Sequence, residues 1–313
     1  MTAGVFVFAF WLGGCALLVP QTEELRAAWP DGLPQRVELA EVPFFPQQDY
    51  QCGPAALAMA LASLHQDVTP EDLVGEVYLP ARQGSLQVEM LAAPRRHGML
   101  SYQLAPRFED LLREVAAGTP VIVLQDYGVW PVPLWHYALA IGYDRDTGDV
   151  LLRSGEKHRL RIPFPVLEHT WRKSSYWAMV VVPPERVPAT ATEADFLAAV
   201  LALARVGDAR TAGRGFAALL ARWPDNLGAS IGLANSHHGL GELRQAERVL
   251  RRAAERHPDS TVVLNNLAQT LSDLGRDDEA LPLVDRAITL GGPFVDAARE
   301  TRVEILKKLG RSN

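Results

Sequence analysis

Gln51-Cys52-Gly53-Pro54-Ala55-Ala56-Leu57-Ala58-Met59-Ala60-Leu61-Ala62-Ser63-Leu64 is the stretch that decides how this chain is read. Proline belongs in the first turn of a helix, where its missing N–H leaves no bond unmade, so a helix starts beside Cys52. The run from Ala55 to Leu64 is apolar on nearly every side, which predicts a fully buried helix. Just upstream stands Gln47-Gln48-Asp49-Tyr50, and far downstream Trp135-His136-Tyr137 opens an apolar run. A cysteine at a helix start with a remote histidine is the layout of a nucleophile and its base. The chain has 2 cysteines, and the other, Cys15, belongs to a different kind of segment. Cys52 is therefore expected to be a free thiol.

The chain is 313 residues long, 48% hydrophobic and 22% charged, which suits about two globular domains. The net charge of −6 is spread without a basic block, so nucleic acid is not an expected partner. Residues 1–14 carry no charged side chain and are too short to cross a bilayer, so they read as an export-signal core. Leu12-Gly13-Gly14-Cys15 resembles a bacterial lipobox, which implies lipidation at Cys15 and a membrane anchor. The Lys or Arg that normally precedes such a core is missing, and a buried cysteine in an apolar strand is the alternative. Ala16 after the cysteine favours, by resemblance to sorted lipoproteins, the outer membrane facing the periplasm. An unpaired Cys52 in that oxidising space is better explained by chemistry than by stability.

Residues 15–41 are mixed and proline-containing and read as a lipidated tether, with order expected from Val42. A domain follows at 42–183, then a linker at 184–192 containing Pro188, then a helical domain at 193–310. Within 42–183 helices come first: after the Cys52 helix, Thr69-Pro70-Glu71-Asp72 opens a second, and others cover Leu86–His97 and Phe108–Ala117. Strands are expected at Val121–Leu124, His136–Tyr143, Val150–Leu152 and Trp177–Val182, giving an antiparallel sheet. In the helical part Gly207, Gly241 and Gly275 recur every 34 residues, as do Pro224 with Pro258, and Ala212, Ala246 and Ala280. Small residues let paired helices cross closely, and this period resembles the tetratricopeptide repeat. The resemblance implies an all-α solenoid of three repeats with a capping helix at Phe294–Leu309, docking a protein partner. Arg248, Arg251, Arg252 and Arg256 read as a solvated helix face.

A thiol attacks only when ionised, and a helix N-terminus directs backbone N–H groups and positive dipole toward Cys52, favouring the thiolate. Of the domain's histidines, His65 lies at the far end of the same helix, roughly 20 Å along it. His136 is the better base, because it starts a strand that can face a helix end. Taken together, Val42-Pro43-Phe44-Phe45-Pro46-Gln47, Gln51 to Ala58 and His136-Tyr137-Ala138-Leu139-Ala140-Ile141-Gly142-Tyr143-Asp144 resemble the papain-like cysteine peptidases of family thirty-nine. Its best-known members trim double-glycine leaders from bacteriocins during export. The resemblance covers about 42–182 and implies a papain-like α+β fold and hydrolysis of peptide bonds in an exported peptide or protein, with no cofactor. It also implies an oxyanion-hole donor at Gln47, with Gln48 and Gln51 as neighbouring alternatives.

One position departs from that pattern. Where the family carries an aspartate behind the histidine, this chain reads Leu152-Arg153-Ser154-Gly155. Ser154 can hydrogen-bond an imidazole but brings no charge, and Asp126 and Asp144 are the substitutes nearby in sequence. A second expectation follows: a peptidase-like domain of impaired activity that grips a peptide within an envelope scaffold. Acyl or amide transfer by the same pair is a third. Tyr50, Trp130 and Trp135 read either as cleft walls or as core aromatics. No Gly-x-x-x-x-Gly-Lys-Ser/Thr loop is present, so the chain is not an exporter with its own ATPase.

Overall fold

The computed structural model describes residues 19–47 and 51–311; the segment 1–14, Cys15, Gln48 and Tyr50 lie outside the described residues. In chain order the first elements are α1 (Pro20–Ala27), β1 (Arg36–Glu38), α2 (Cys52–Ala62), α3 (Pro70–Val77), β2 (Tyr78–Leu79), β3 (Gly84–Ser85), α4 (Gln87–Arg96) and β4 (Leu100–Gln103). There follow α5 (Phe108–Ala116), β5 (Val121–Asp126), β6 (Trp135–Asp144), β7 (Asp149–Ser154), β8 (Lys157–Pro163), α6 (Phe164–Trp171) and β9 (Ala178–Val182). The rest is helical: α7 (Glu193–Ala204), α8 (Ala209–Arg222), α9 (Leu227–Gly239), α10 (Leu243–Arg256), α11 (Thr261–Asp273), α12 (Asp277–Leu290) and α13 (Val295–Lys308). Among the described residues no helix is long and apolar enough to cross a membrane.

The chain forms two compact units, one up to Ala93 and from Gln103 to Val181, the other from Pro94 to Tyr102 and from Val182 onward. In the first, α2 lies against β6 and is buried from Gly53 to Leu61, as its all-round apolar sequence requires. The sheet runs β9-β5-β6-β7-β8, all neighbours antiparallel. At ten residues, β6 is long enough to pair β5 through Trp135–Ala140 and β1 through Gly142–Asp144. Thr69 stands at the expected start of α3, and the structure adds a capping-box bond, the Asp72 carboxylate accepting from Thr69 N–H at 2.9 Å and from Thr69 Oγ1–H at 2.8 Å.

The expected tether is corrected by the structure. Residues from Val19 onward are part of the first unit: β1 is a strand of the sheet, and Leu25 of α1 is buried. The two first N–H groups of α1, on Gln21 and Thr22, donate to the buried Glu168 carboxylate at 3.0 and 2.6 Å. A carboxylate at a helix N-terminus satisfies orphan donors and opposes the dipole, so α1 docks without an apolar stripe to announce it. β8 is a further strand, and its Lys157-His158-Arg159-Leu160-Arg161 run is the exposed edge of the sheet.

The second unit carries the repeat. Helices α7, α9, α11 and α13 begin at 193, 227, 261 and 295, each 34 residues after the last, and α8, α10 and α12 at 209, 243 and 277 keep the same step. Thr192, Asn226 and Ser260 cap three of these helices by accepting from the backbone N–H three residues on. Ala246, Ala253, Ala268, Ala280 and Ala287 are all buried where helices cross. The segment expected as a free linker belongs to this unit, since Thr192 N–H donates to Tyr102 Oη at 3.3 Å. Arg251 and Arg256 sit on the solvated face as expected, paired with Glu247 and Asp225. An α+β unit with an antiparallel sheet is thus followed by a run of helical hairpins.

Candidate active site

Cys52 is the first residue of α2, with Gln51 as its N-cap. Gly53 follows because nothing larger fits: a Cβ there would lie 2.6 Å from Ser85 Cβ. The backbone N–H groups of Tyr137, in β6, and of Gly53 and Cys52 lie close enough to the thiol to favour its ionised form. Burial pushes the thiol pKa up, and these N–H groups only partly offset that. The expected resting thiolate is therefore not favoured, because desolvation outweighs the dipole at this helix end.

His136 precedes Tyr137, so the residue whose N–H meets the thiol adjoins the imidazole in the chain. β6 begins where β7 ends, which brings His136 and Ser154 to the same end of two paired strands. His136 Nε2 lies 2.8 Å from Ser154 Oγ. That bond commits one ring nitrogen and leaves Nδ1 for another partner. Burial lowers the His136 pKa to about 4, so the ring is neutral at pH 7.

Neither alternative carboxylate supports the ring. Asp126 Oδ1 accepts from Gly128 N–H at 2.8 Å and Leu134 N–H at 2.7 Å, so it shapes the loop before β6. Asp144 lies at the far end of β6, where it binds Arg36 and the Asp146 and Thr147 N–H groups. Behind Ser154 stands Tyr127, which sequence reasoning missed. Its phenol is within hydrogen-bonding reach of Ser154, and its ring centroid is 5.3 Å from that of His136. Tyr127 Oη–H donates to Gln125 Oε1 at 3.0 Å, and the Gln125 amide donates to Thr170 Oγ1 at 2.8 Å. The available signal was Gln125 itself, one polar residue closing the apolar run Val121–Leu124.

Gln47 reaches the same place. Its side-chain oxygen accepts from Gly155 N–H at 2.8 Å, and Nε2 donates to Tyr137 O at 3.3 Å. The backbone beneath is fixed too, Gln47 N–H donating to Gly155 O at 3.1 Å. A cavity of about 530 Å³ opens beside Gln47, lined by Phe45, Pro46, Thr69, Pro70, Glu71 and Glu156. Thus Cys52, His136, Gln47 and Ser154 converge around the start of β6, although they come from four parts of the sequence. Trp130 and Trp135 are exposed, not core.

Residues 39–179 match the peptidase C39-like family, and residues 203–263 and 241–289 match the tetratricopeptide repeat. The chain thus carries a peptidase C39-like domain followed by tetratricopeptide repeats. Among solved structures, a C39-like peptidase from Bacillus anthracis aligns at 19% identity and a TM-score of 0.40, covering 48% of this chain and 98% of that one. A tetratricopeptide protein of Thermus thermophilus aligns at 21% identity and a TM-score of 0.34, covering 38% of this chain and 66% of that one. No curated protein matches the chain.

Proposed function

We propose that the chain is a cysteine peptidase anchored in the bacterial envelope, hydrolysing peptide bonds of an exported peptide or protein that its repeats help to dock. The observation that carries this reading is the Ser154-held imidazole of His136 next to the Tyr137 N–H that meets Cys52. In the proposed reaction the Cys52 proton passes to His136 as sulfur bonds to the substrate carbonyl carbon. The C–N bond then breaks, the imidazolium returns its proton to the leaving amine, and water hydrolyses the thioester. Gln47 would supply an oxyanion donor through the Nε2–H not committed to Tyr137 O, and losing such a donor costs on the order of 10²-fold in rate. Lipidation at Cys15 would hold the enzyme at the outer membrane.

Both reacting groups rest neutral, so the proton passes from Cys52 to His136 as sulfur attacks and not beforehand. The test compares cleavage of exported proteins, in cells and with purified chain, between the parent and Cys52→Ala. Identical product patterns would sink the peptidase reading. The neutral Ser154 behind His136 favours a second reading, a peptide-gripping scaffold of impaired activity. That reading requires Cys52→Ser and His136→Ala to keep the cellular phenotype while deletion of 193–310 removes it.

A further inference from the structure

The segment Tyr127-Gly128-Val129-Trp130-Pro131-Val132-Pro133-Leu134-Trp135 joins β5 to β6 and contains no charged residue. Its tip faces water: Val129 is 78% exposed, Trp130 96%, Val132 68% and Leu134 61%. The base is nevertheless firmly built. Tyr127 N–H donates to Leu134 O at 2.9 Å, and the Asp126 carboxylate holds both Gly128 and Leu134 N–H groups. Lys173 Nζ donates to Asp126 O at 3.1 Å and to Gly128 O at 2.7 Å. At Gly128 even a Cβ would come within 2.7 Å of Pro133 Cα, so the two limbs are closed on each other. A rigid base holding four large apolar side chains in water marks a surface made for an apolar partner.

We infer that this loop docks on a lipid bilayer, its Val129–Leu134 tip entering the headgroup region. Two observations select lipid as the occupant. Tryptophan and aliphatic residues on an uncharged tip are the side chains that partition to the membrane interface, and Lys173 at the base supplies a cation for anionic headgroups. The chain also enters the unit near the loop's base. Gln21 and Thr22 bind Glu168, which precedes Lys173 by five residues, roughly 8 Å along a helical path. No charged side chain occurs from Met1 to Thr22, so an uncharged stretch joins the unit close to the base of the apolar loop. Two weak apolar contacts orient a body on a membrane better than one.

The inference does not depend on Cys52 being reactive. The test uses the full chain with Cys15→Ser, so that no acyl chain contributes, and vesicles of phosphatidylethanolamine and phosphatidylglycerol at 3:1. The expected result is at least a tenfold weaker partition for Val129→Ser/Trp130→Ser/Val132→Ser than for the unaltered loop, with unchanged thermal unfolding. Brominated lipid should quench a fraction of tryptophan emission that Trp130→Phe removes, although Trp130→Phe still binds. Equal partition of the two loops, or quenching undiminished by Trp130→Phe, overturns the inference. So does a loop variant that leaves lipid binding intact and raises only the KM for peptide cleavage, which would make the loop a substrate wall.

Discussion

At the scale of single residues, the site is defined by one missing charge. Ser154 orients His136 as an acid would, but a hydroxyl cannot stabilise imidazolium, and burial leaves both His136 and Cys52 neutral. In Ser154→Asp a carboxylate beside Nε2 should raise the histidine pKa and lower that of the thiol. Iodoacetamide alkylation of Cys52 at pH 7 is then expected to accelerate about tenfold or more; an unchanged rate–pH curve would show that Ser154 does not back the ring. The buried histidine also makes stability depend on pH. Its folded pKa of about 4 lies below the ordinary value of 6.5, so only the unfolded chain takes up its proton between them. Ser154 and Tyr127, which contact the ring, are neutral in that range. Stability is complete above about pH 6.5 and lost as pH falls toward 4, by at most about 2 kcal/mol at pH 5. Urea unfolding of the parent against His136→Asn at pH 7.5 and 5 measures this, and the parent should lose more.

At the scale of elements, packing at helix ends decides where the site residues stand. Gly53 lets the start of α2 close on Ser85, so Gly53→Ala should cost about 1–3 kcal/mol and blunt the reactivity of Cys52, read from urea unfolding and alkylation together. Glu168 anchors α1 from the side of α6, and it is fully buried while accepting Gln21 N–H, Thr22 N–H and Tyr176 Oη–H. Glu168→Ala leaves these donors unpaired. We expect limited proteolysis to cut within 20–35 in that variant and to spare the parent, with a stability loss of about 2 kcal/mol.

At the scale of the whole molecule, the two units are stabilised by different means. The first depends on long-range pairings around β6, the second on neighbouring hairpins stacked at a fixed period. In such a stack the last helix matters because it covers the one before it. Ala298 and Ile305 of α13 belong to the core shared with Val284 and Ala287 of α12 and Leu271 of α11. Removing residues 292–313 should uncover that core and lower the melting temperature of the helical unit by roughly 5 °C or more, followed by circular dichroism. An unaltered melt would mean that the repeats need no cap.

The sequence by itself determined the local features: the buried α2 helix with Cys52 at its start, the α3 N-cap, the core strands and the 34-residue repeat. Each is written in neighbouring residues as an apolar period, a cap or a recurring small side chain. Only the tertiary structure decided what stands behind His136, because that depends on the register of β6 against β7 and on Tyr127 arriving from beyond β5. It also turned the expected tether into α1 and β1, which owe their place to a buried carboxylate 146 residues away and to a partner strand. Finally, it reversed the expected charge state of Cys52. A helix N-terminus can be read from a proline, whereas desolvation depends on everything that packs around the thiol.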